Sequence, residues 1–404
     1  MARARNAIGN TLVLIGVAML IFAVLWWGVA IKRIVVFPRG YDLSFRAEAT
    51  VTRLAEKHGL LRITPAQTGR VPLDRRLSSM NGDYHGDIAV VEEVIEADGQ
   101  APFGLNLDER NIYVMDRRSC ENMSSTLSTS SGEVVDRSGS WYVNFPFGAG
   151  RDSRNLFDND VASAFAVNFE KKDVINGVGV YLFKGSHGHR PMVDYEVRAI
   201  GLPTETTFGE IKGELAAAGI PIDTLVRSAS SNLTPEERQT FAQFPDSRPI
   251  ALEYSVKLEW EGAVEPVTGT IVKIGRCRRS VYVNTEVRTF LPLFEILARH
   301  AEDPQVLQYL SQVEQQRLLE PKELYRIDYG WTDAQAAQAT EYAGSRIGPM
   351  RFVQDYMVTL FLLLGAGFFL GGFIVRRKEH MRTTHDAAGP DEGEGKGAEE
   401  EKGP

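Results

Sequence analysis

The sequence predicts a mainly β, α+β fold: an extracytoplasmic antiparallel β sandwich or barrel with helical inserts, flanked by N- and C-terminal transmembrane helices. Three observations predict it. A long apolar run stands at each end of the 404-residue chain, short alternating stretches punctuated by turn residues fill the interval, and two helical patterns interrupt them.

The first run, 7–31, carries no charge, and the second covers 356–375. Each is close to the ~20 apolar residues a helix needs to cross a ~30 Å hydrocarbon core at ~1.5 Å per residue. Arg3 and Arg5 precede the first run, and Arg376, Arg377, Lys378 and Arg382 follow the second. Basic flanks stay in the cytoplasm, so residues 1–6 and the tail 376–404 are expected there, with the plasma membrane between them and the domain 32–355. Lys32, Arg33 and Arg39 weigh against that orientation. A cleavable signal peptide is the rival reading of the N-terminus. The run is long for one and ends in Trp26, Trp27, Lys32 and Arg33, which suits a retained anchor with aromatic residues at the interface. Gly365, Gly367, Gly371 and Gly372 would let the second helix approach the first, or another copy, closely.

A net charge of −8 leaves no basic face for a nucleic acid. With 43% hydrophobic residues the interval can build a real core. The end of the tail, rich in Gly, Glu and Lys, cannot, and is expected to be disordered. The two cysteines, Cys120 and Cys277, both fall in the interval, where an oxidising compartment would allow a disulfide between them. Asn122-Met-Ser124 and Asn232-Leu-Thr234 match the glycosylation sequon, which matters only in a eukaryotic secretory pathway.

From Tyr41 to Leu54 apolar and polar residues alternate, the period of a half-buried strand. Further strands are expected over 88–95, 111–115, 141–145, 164–169, 178–183, 193–200, 250–260, 270–274 and 280–288, with Asn176-Gly177 as a hairpin turn. A helical insert is expected at about 207–244. Its first helix ends at Gly219 and Pro221; its second opens on Thr234-Pro235-Glu236-Glu237, an N-cap, a proline at the first helical position and acids at the positive helix end. The β-rich domain then spans 32–290, and 291–355 reads as a helical stalk.

Four segments occur in order between the two anchors: Val114-Met115-Asp116-Arg117-Arg118, Val135-Asp136-Arg137-Ser138-Gly139-Ser140-Trp141-Tyr142-Val143-Asn144-Phe145-Pro146-Phe147, Val174-Ile175-Asn176-Gly177-Val178-Gly179-Val180-Tyr181-Leu182-Phe183 and Glu265-Pro266-Val267-Thr268-Gly269-Thr270-Ile271-Val272. This resembles an actinobacterial family of two-anchor membrane proteins, the PorA-like porins. Its mycobacterial and corynebacterial members are implicated in making lipomannan and lipoarabinomannan. The resemblance implies a role in the cell envelope. The porin label conflicts with the expected strands, which carry Arg46, Glu48, Lys171 and Lys172 where a lipid-embedded barrel needs an apolar outer face.

No nucleophile elbow, P-loop, zinc-protease helix or dinucleotide fingerprint is present, so no catalytic residue, metal or cofactor is expected and a non-enzymatic role is favoured. His187-Gly188-His189 lacks further ligands at a metal-binding spacing and reads as a hairpin tip. Lys273, Arg276, Arg278 and Arg279 place four cations within seven residues of an acidic chain, a candidate site for a phosphate or anionic headgroup, or else a charged hairpin edge. The expected role is binding or scaffolding a membrane lipid or lipoglycan intermediate of envelope biogenesis, beside envelope enzymes. The alternatives are a protein-contact sensor ectodomain and a porin-like channel component, with oligomers formed through the membrane helices.

Overall fold

The alternation after Tyr41 becomes strand β1 (Asp42–Ala55): Leu43, Phe45, Ala47, Ala49 and Val51 are buried and the residues between them face outward. The computed structural model describes residues 2–56, 58–80, 86–229, 232–285, 291–300, 304, 307–308, 311 and 320–387. The chain divides into two units, one of Met1–Val35 with Gly348–Pro404 and one of Val36–Ile347.

In the larger unit β1 is followed by β2 (Arg62–Ser79), β3 (Ile88–Ala97), β4 (Glu109–Asp116), the short β5 (Thr129–Ser130) and β6 (Glu133–Val134), then β7 (Arg154–Asp158), β8 (Ser163–Ile175), β9 (Val178–Pro191), β10 (Glu205–Thr207), β11 (Pro249–Val264), β12 (Ile271–Thr285) and β13 (Lys322–Trp331). They form one antiparallel sheet in the order β6-β5-β4-β3-β2-β1-β13-β12-β11-β9-β8-β7, with β10 on β11. The sheet is open but folds over on itself, as a sandwich does. Asn159, just past β7, donates to the Tyr113 hydroxyl on β4 at 3.1 Å, and the amide of Phe145 donates to Gly269 O at 2.8 Å. The enclosed core holds Phe45, Tyr113, Phe145, Phe183, Trp260 and Trp331.

The insert behaves as its caps dictate. Helix α4 (Phe208–Ala217) starts in a capping box of Thr207 with Glu210, and α6 (Pro235–Ala242) in one of Thr234 with Glu237. With α5 (Ile222–Ala229) and α7 (Leu291–Arg299) they enclose a second core of Phe208, Ile211, Leu215, Ile220, Leu225 and Leu297.

Three expectations need correction, and one strand went unannounced. The stalk is not wholly helical: β13 lies inside it, between β1 and β12. Tyr325, Ile327, Tyr329 and Trp331 alternate with Arg326, Asp328 and Gly330, so the strand period was there. The segment 193–200 is not a strand but helix α3 (Asp194–Ala199), whose Val197 and Ile200 sit one helical turn apart in the core. The segment 141–145 crosses the sheet instead of joining it as a strand. Trp141 bridges Leu156, and Val143 and Phe145 plug the core. Strand β2, unannounced by its broken alternation, is held by pairing along most of β1. Arg288 and its neighbours 286–290 lie outside the described residues.

In the smaller unit, α1 (Ala2–Leu25) leads through a π-helical turn (Trp26–Ala30) into α2 (Ile31–Ile34). After α8 (Asp333–Arg351) and a second π-helical turn (Phe352–Tyr356), α9 runs over Met357–Ala387. Both α1 and α9 are long and apolar enough to cross a membrane. They pack antiparallel. A Cβ on Gly16 would lie 2.6 Å from the Phe369 amide nitrogen, and one on Gly372 2.8 Å from Gly9 O. At the other end Phe22 meets Phe361 edge-on at 4.7 Å, and the Trp26 indole donates to Val353 O at 3.1 Å. Gly365 and Gly372 thus belong to this seam, whereas positions 367 and 371 face open space. The helix continues to Ala387, so the tail expected to be disordered from 376 is helical at first; residues 388–404 lie outside the described residues.

Candidate binding surface on the sheet

The inward face of the sheet buries a polar band. Arg75 donates to Glu93 Oε1 at 2.6 Å, and Glu93 also accepts from Asn111 (3.1 Å), Tyr113 (2.8 Å) and Tyr142 (3.3 Å). Arg137, buried, donates to Asn159 Oδ1, to Ser128 Oγ and to the carbonyls of Ile112 and Thr129 while lying over the Tyr113 ring. Burial pushes the hydroxyls of Tyr113, Tyr142 and Tyr329 well up, so they stay protonated donors. Arg279 donates through Nη1 to Glu109 Oε1 at 3.1 Å, while its Nε lies 2.7 Å from Asp160 Oδ2, close in charge but off the hydrogen-bond line. Burial raises the Asp160 carboxyl well above the usual range, and Arg279 opposes that shift. His187 Nε2 lies 2.6 Å from Asp158 Oδ2 and Nδ1 2.8 Å from Gly188 O. Between Arg75, Tyr142, Asp158, Cys277, Arg279 and Tyr329 lies a cavity of about 50 Å³. That admits roughly one to three waters, not an acyl chain or a sugar.

The outward face offers more room. Strand register assembles rows of polar side chains across β8, β9, β11, β12 and β13. Asn168, Lys184, Glu261 and Arg276 form one row; Ser186, Glu259, Arg278 and Asp328 the next; Lys257, Ser280 and Arg326 a third; Ser255 and Tyr282 follow. Two adjoining concavities, about 660 and 340 Å³, share Ser186 and Glu259. Most of the charges are paired: Lys184 with Glu170 and Glu261, Arg276 with Glu259 at 3.1 Å, Arg278 with Asp328 at 2.6 Å, and Arg326 with both oxygens of Glu323 at 2.8 Å. A third concavity of about 580 Å³ lies over β1, β2 and β3, where Arg46 pairs with Asp98 and Arg76 with Asp42.

The basic cluster read from the sequence is therefore divided. Arg276 and Arg278 line the two outward concavities, Arg279 turns into the core, and Lys273 reaches Asp333 at 3.1 Å. One strand cannot present all four on one face. Lys184, Lys257 and Arg326, which complete the surface, stand far apart in sequence, and only register brings them to Arg276 and Arg278.

The two cysteines are both buried free thiols, with no bond joining them. Burial pushes each up to about 12, and Cys120 accepts from Asn144 Nδ2 at 3.7 Å. Asn122 is buried and bonded to Ser140, so the folded domain offers no glycan acceptor at that sequon. His187 and His189 sit within β9, not at its tip. An extra β9 residue between the pairs Val256–Arg190 and Leu258–His187 sends His187 inward, while His189 approaches Ser255 on the outward face.

Between the β1–β2 turn and the helical insert, His58 Nδ1 donates to Glu214 at 2.6 Å and Nε2 lies 2.9 Å from the Thr206 hydroxyl. That superficially resembles a nucleophile–base–acid chain. The Thr206 hydroxyl donates to Glu210 Oε2 instead, and both Thr206 and His58 are buried. The arrangement clamps the insert to the sheet.

The model of the family described as "Porin PorA" matches residues 8–374. No curated protein matches the sequence.

Proposed function

The chain belongs to the PorA porin family, and from that premise we propose that it is a two-pass plasma-membrane protein with both termini in the cytoplasm, whose sheet domain engages the polar head of an envelope lipid or lipoglycan intermediate. The observation that carries this reading is a difference in space. Among the described residues the cavity inside the core measures about 50 Å³, while the outward face has concavities of about 660 and 340 Å³ lined by hydroxyl, amide and charged groups. An amphiphile held by this domain is therefore recognised by its headgroup, and its chains stay in the bilayer. Envelope enzymes acting on the same intermediate are the partners this role calls for.

Native mass spectrometry of the detergent-extracted full chain, with identification of the retained lipid, tests the proposal. A glycosylated lipid held at fixed stoichiometry is the expected result. A protein of bare mass would overturn it in favour of a sensor that works through protein contacts.

The family description supports a second reading, a channel. The exposed strand positions carry Arg46, Glu48, Arg70, Lys171 and Lys172, charges that a barrel in lipid could not keep on its outer face. A pore in this chain would have to be lined by α1 and α9 from several copies. Unitary conductance of the purified protein in a planar bilayer, lost on separating the helices, would favour that reading.

A further inference from the structure

We infer that the outward concavity around Lys257 is a binding site for a phosphorylated sugar, with Lys257 as the counter-ion of the phosphate. This rests on the outward face being the binding surface and names the ligand class.

The argument begins with charge. In an acidic chain, this concavity and its immediate partners collect Lys257, Arg276, Arg278 and Arg326. The carboxylates facing them are already neutralised: Glu259 by Arg276, Asp328 by Arg278, and Glu323 by the fork of Arg326 together with a hydrogen bond from Ser280. Four cations against three carboxylates leave one positive charge. It resides on Lys257, which has no carboxylate within ion-pair distance among the described residues. His189 does not add to it, because burial and then the Lys257 charge hold its imidazole below the ordinary value.

Geometry then says what the charge is for. At the β9 bulge Lys257 lacks a cross-strand neighbour on that strand, so its exposed side chain borders open space beside Gly188. The Ser280 hydroxyl lies directly across from Lys257 in its own row, and the Ser186 hydroxyl one row away along the same concavity. The Tyr282 ring stands 5.8 Å from Lys257 Nζ and 4.2 Å from His189, a flat apolar wall of the kind against which a sugar ring packs. A lysine ammonium is a compact charge that meets phosphate oxygens from any direction, and the arginines behind it supply further donors. The surplus positive charge selects against a neutral glycan.

The test uses full-length protein in mild detergent at low ionic strength, titrated calorimetrically with glucose 1-phosphate, with glucose, and with dioctanoyl phosphatidylglycerol. Saturable binding of glucose 1-phosphate but not glucose is expected, weakened at least about tenfold in Lys257→Gln. Lys171→Gln, the same charge change on the β8–β9 hairpin, should leave it unaltered, and both variants should melt with the parent. Tighter binding of the phospholipid than of the sugar phosphate assigns the phosphate to a lipid headgroup; the reverse assigns it to the glycan. Equal loss in both lysine variants, or no saturation by either phosphate ligand, overturns the inference. If a neutral glycolipid is nevertheless retained in the mass spectrometer, the headgroup-binding role survives that failure; if none is, both fall.

Discussion

At the scale of single residues, the core is held by polar groups that must each keep a partner. Arg137 is the largest fully buried side chain, and its donors serve two strand carbonyls, Ser128 and Asn159. Arg137→Met should cost about 3 kcal/mol, because the acceptors it leaves stay dry; urea denaturation of the full chain checks this. Gly269 stands at φ 71°, and a Cβ there would lie 2.1 Å from Phe145 O. Gly269→Ala combines a left-handed backbone with that overlap and is expected to cost more than about 2 kcal/mol in the same assay. The raised carboxyl of Asp160 gives a pH prediction. A carboxyl whose pKa is higher folded than unfolded adds stability at pH below its unfolded value and loses it as pH rises toward the folded one. Stability should therefore decline from the carboxylate range upward, by up to about 1.4 kcal/mol per pH unit for one proton. Asp160→Asn should flatten that slope, as followed by melting temperature against pH.

At the scale of elements, the two apolar helices meet through backbone rather than side-chain volume. Gly16 and Gly372 are the points of closest approach, and dispersion between closely packed helices is what holds such pairs in lipid. Gly16→Leu should force them apart, whereas Gly367→Leu, with nothing within 4 Å, should not. Cysteines placed at Phe22 and Phe361, whose rings are 4.7 Å apart, report the outcome: cross-linking should persist in the second variant and fail in the first. The element-level readings that failed did so for different reasons. Helix α3 is short, and a few residues of either period fit helix or strand equally, whereas β13 alternates within a segment otherwise helical and is drawn into the sheet because β1 and β12 are there to pair with it on both sides.

At the scale of the whole molecule, the proposed orientation is directly measurable. Val174, on β8 beside the hairpin turn, is 65% exposed, and both native thiols are buried. Val174→Cys should react with a membrane-impermeant maleimide on intact cells. A cysteine added after Pro404 should react only once the membrane is breached, and the parent not at all under native conditions. Labelling of the added C-terminal cysteine on intact cells would reverse the topology.

Much of this architecture was legible along the chain because it depends on local composition: apolar runs long enough for a bilayer, period-two alternation in β1, the N-cap at Thr234 and the Asn176-Gly177 turn are each complete within a few residues. The binding surface was only half legible. Arg276 and Arg278 stood out as neighbours of Lys273 and Arg279, yet a strand sends alternate side chains to opposite faces, and that alone removed Arg279 to the core. Lys257, Ser280 and Arg326 became one row through the register of three strands, two of them separated by more than forty residues. The sequence by itself determined where the chain is apolar and where it turns. Tertiary structure alone decided which charges meet, because strand pairing is a long-range choice and a shift of one residue would have exchanged the two faces.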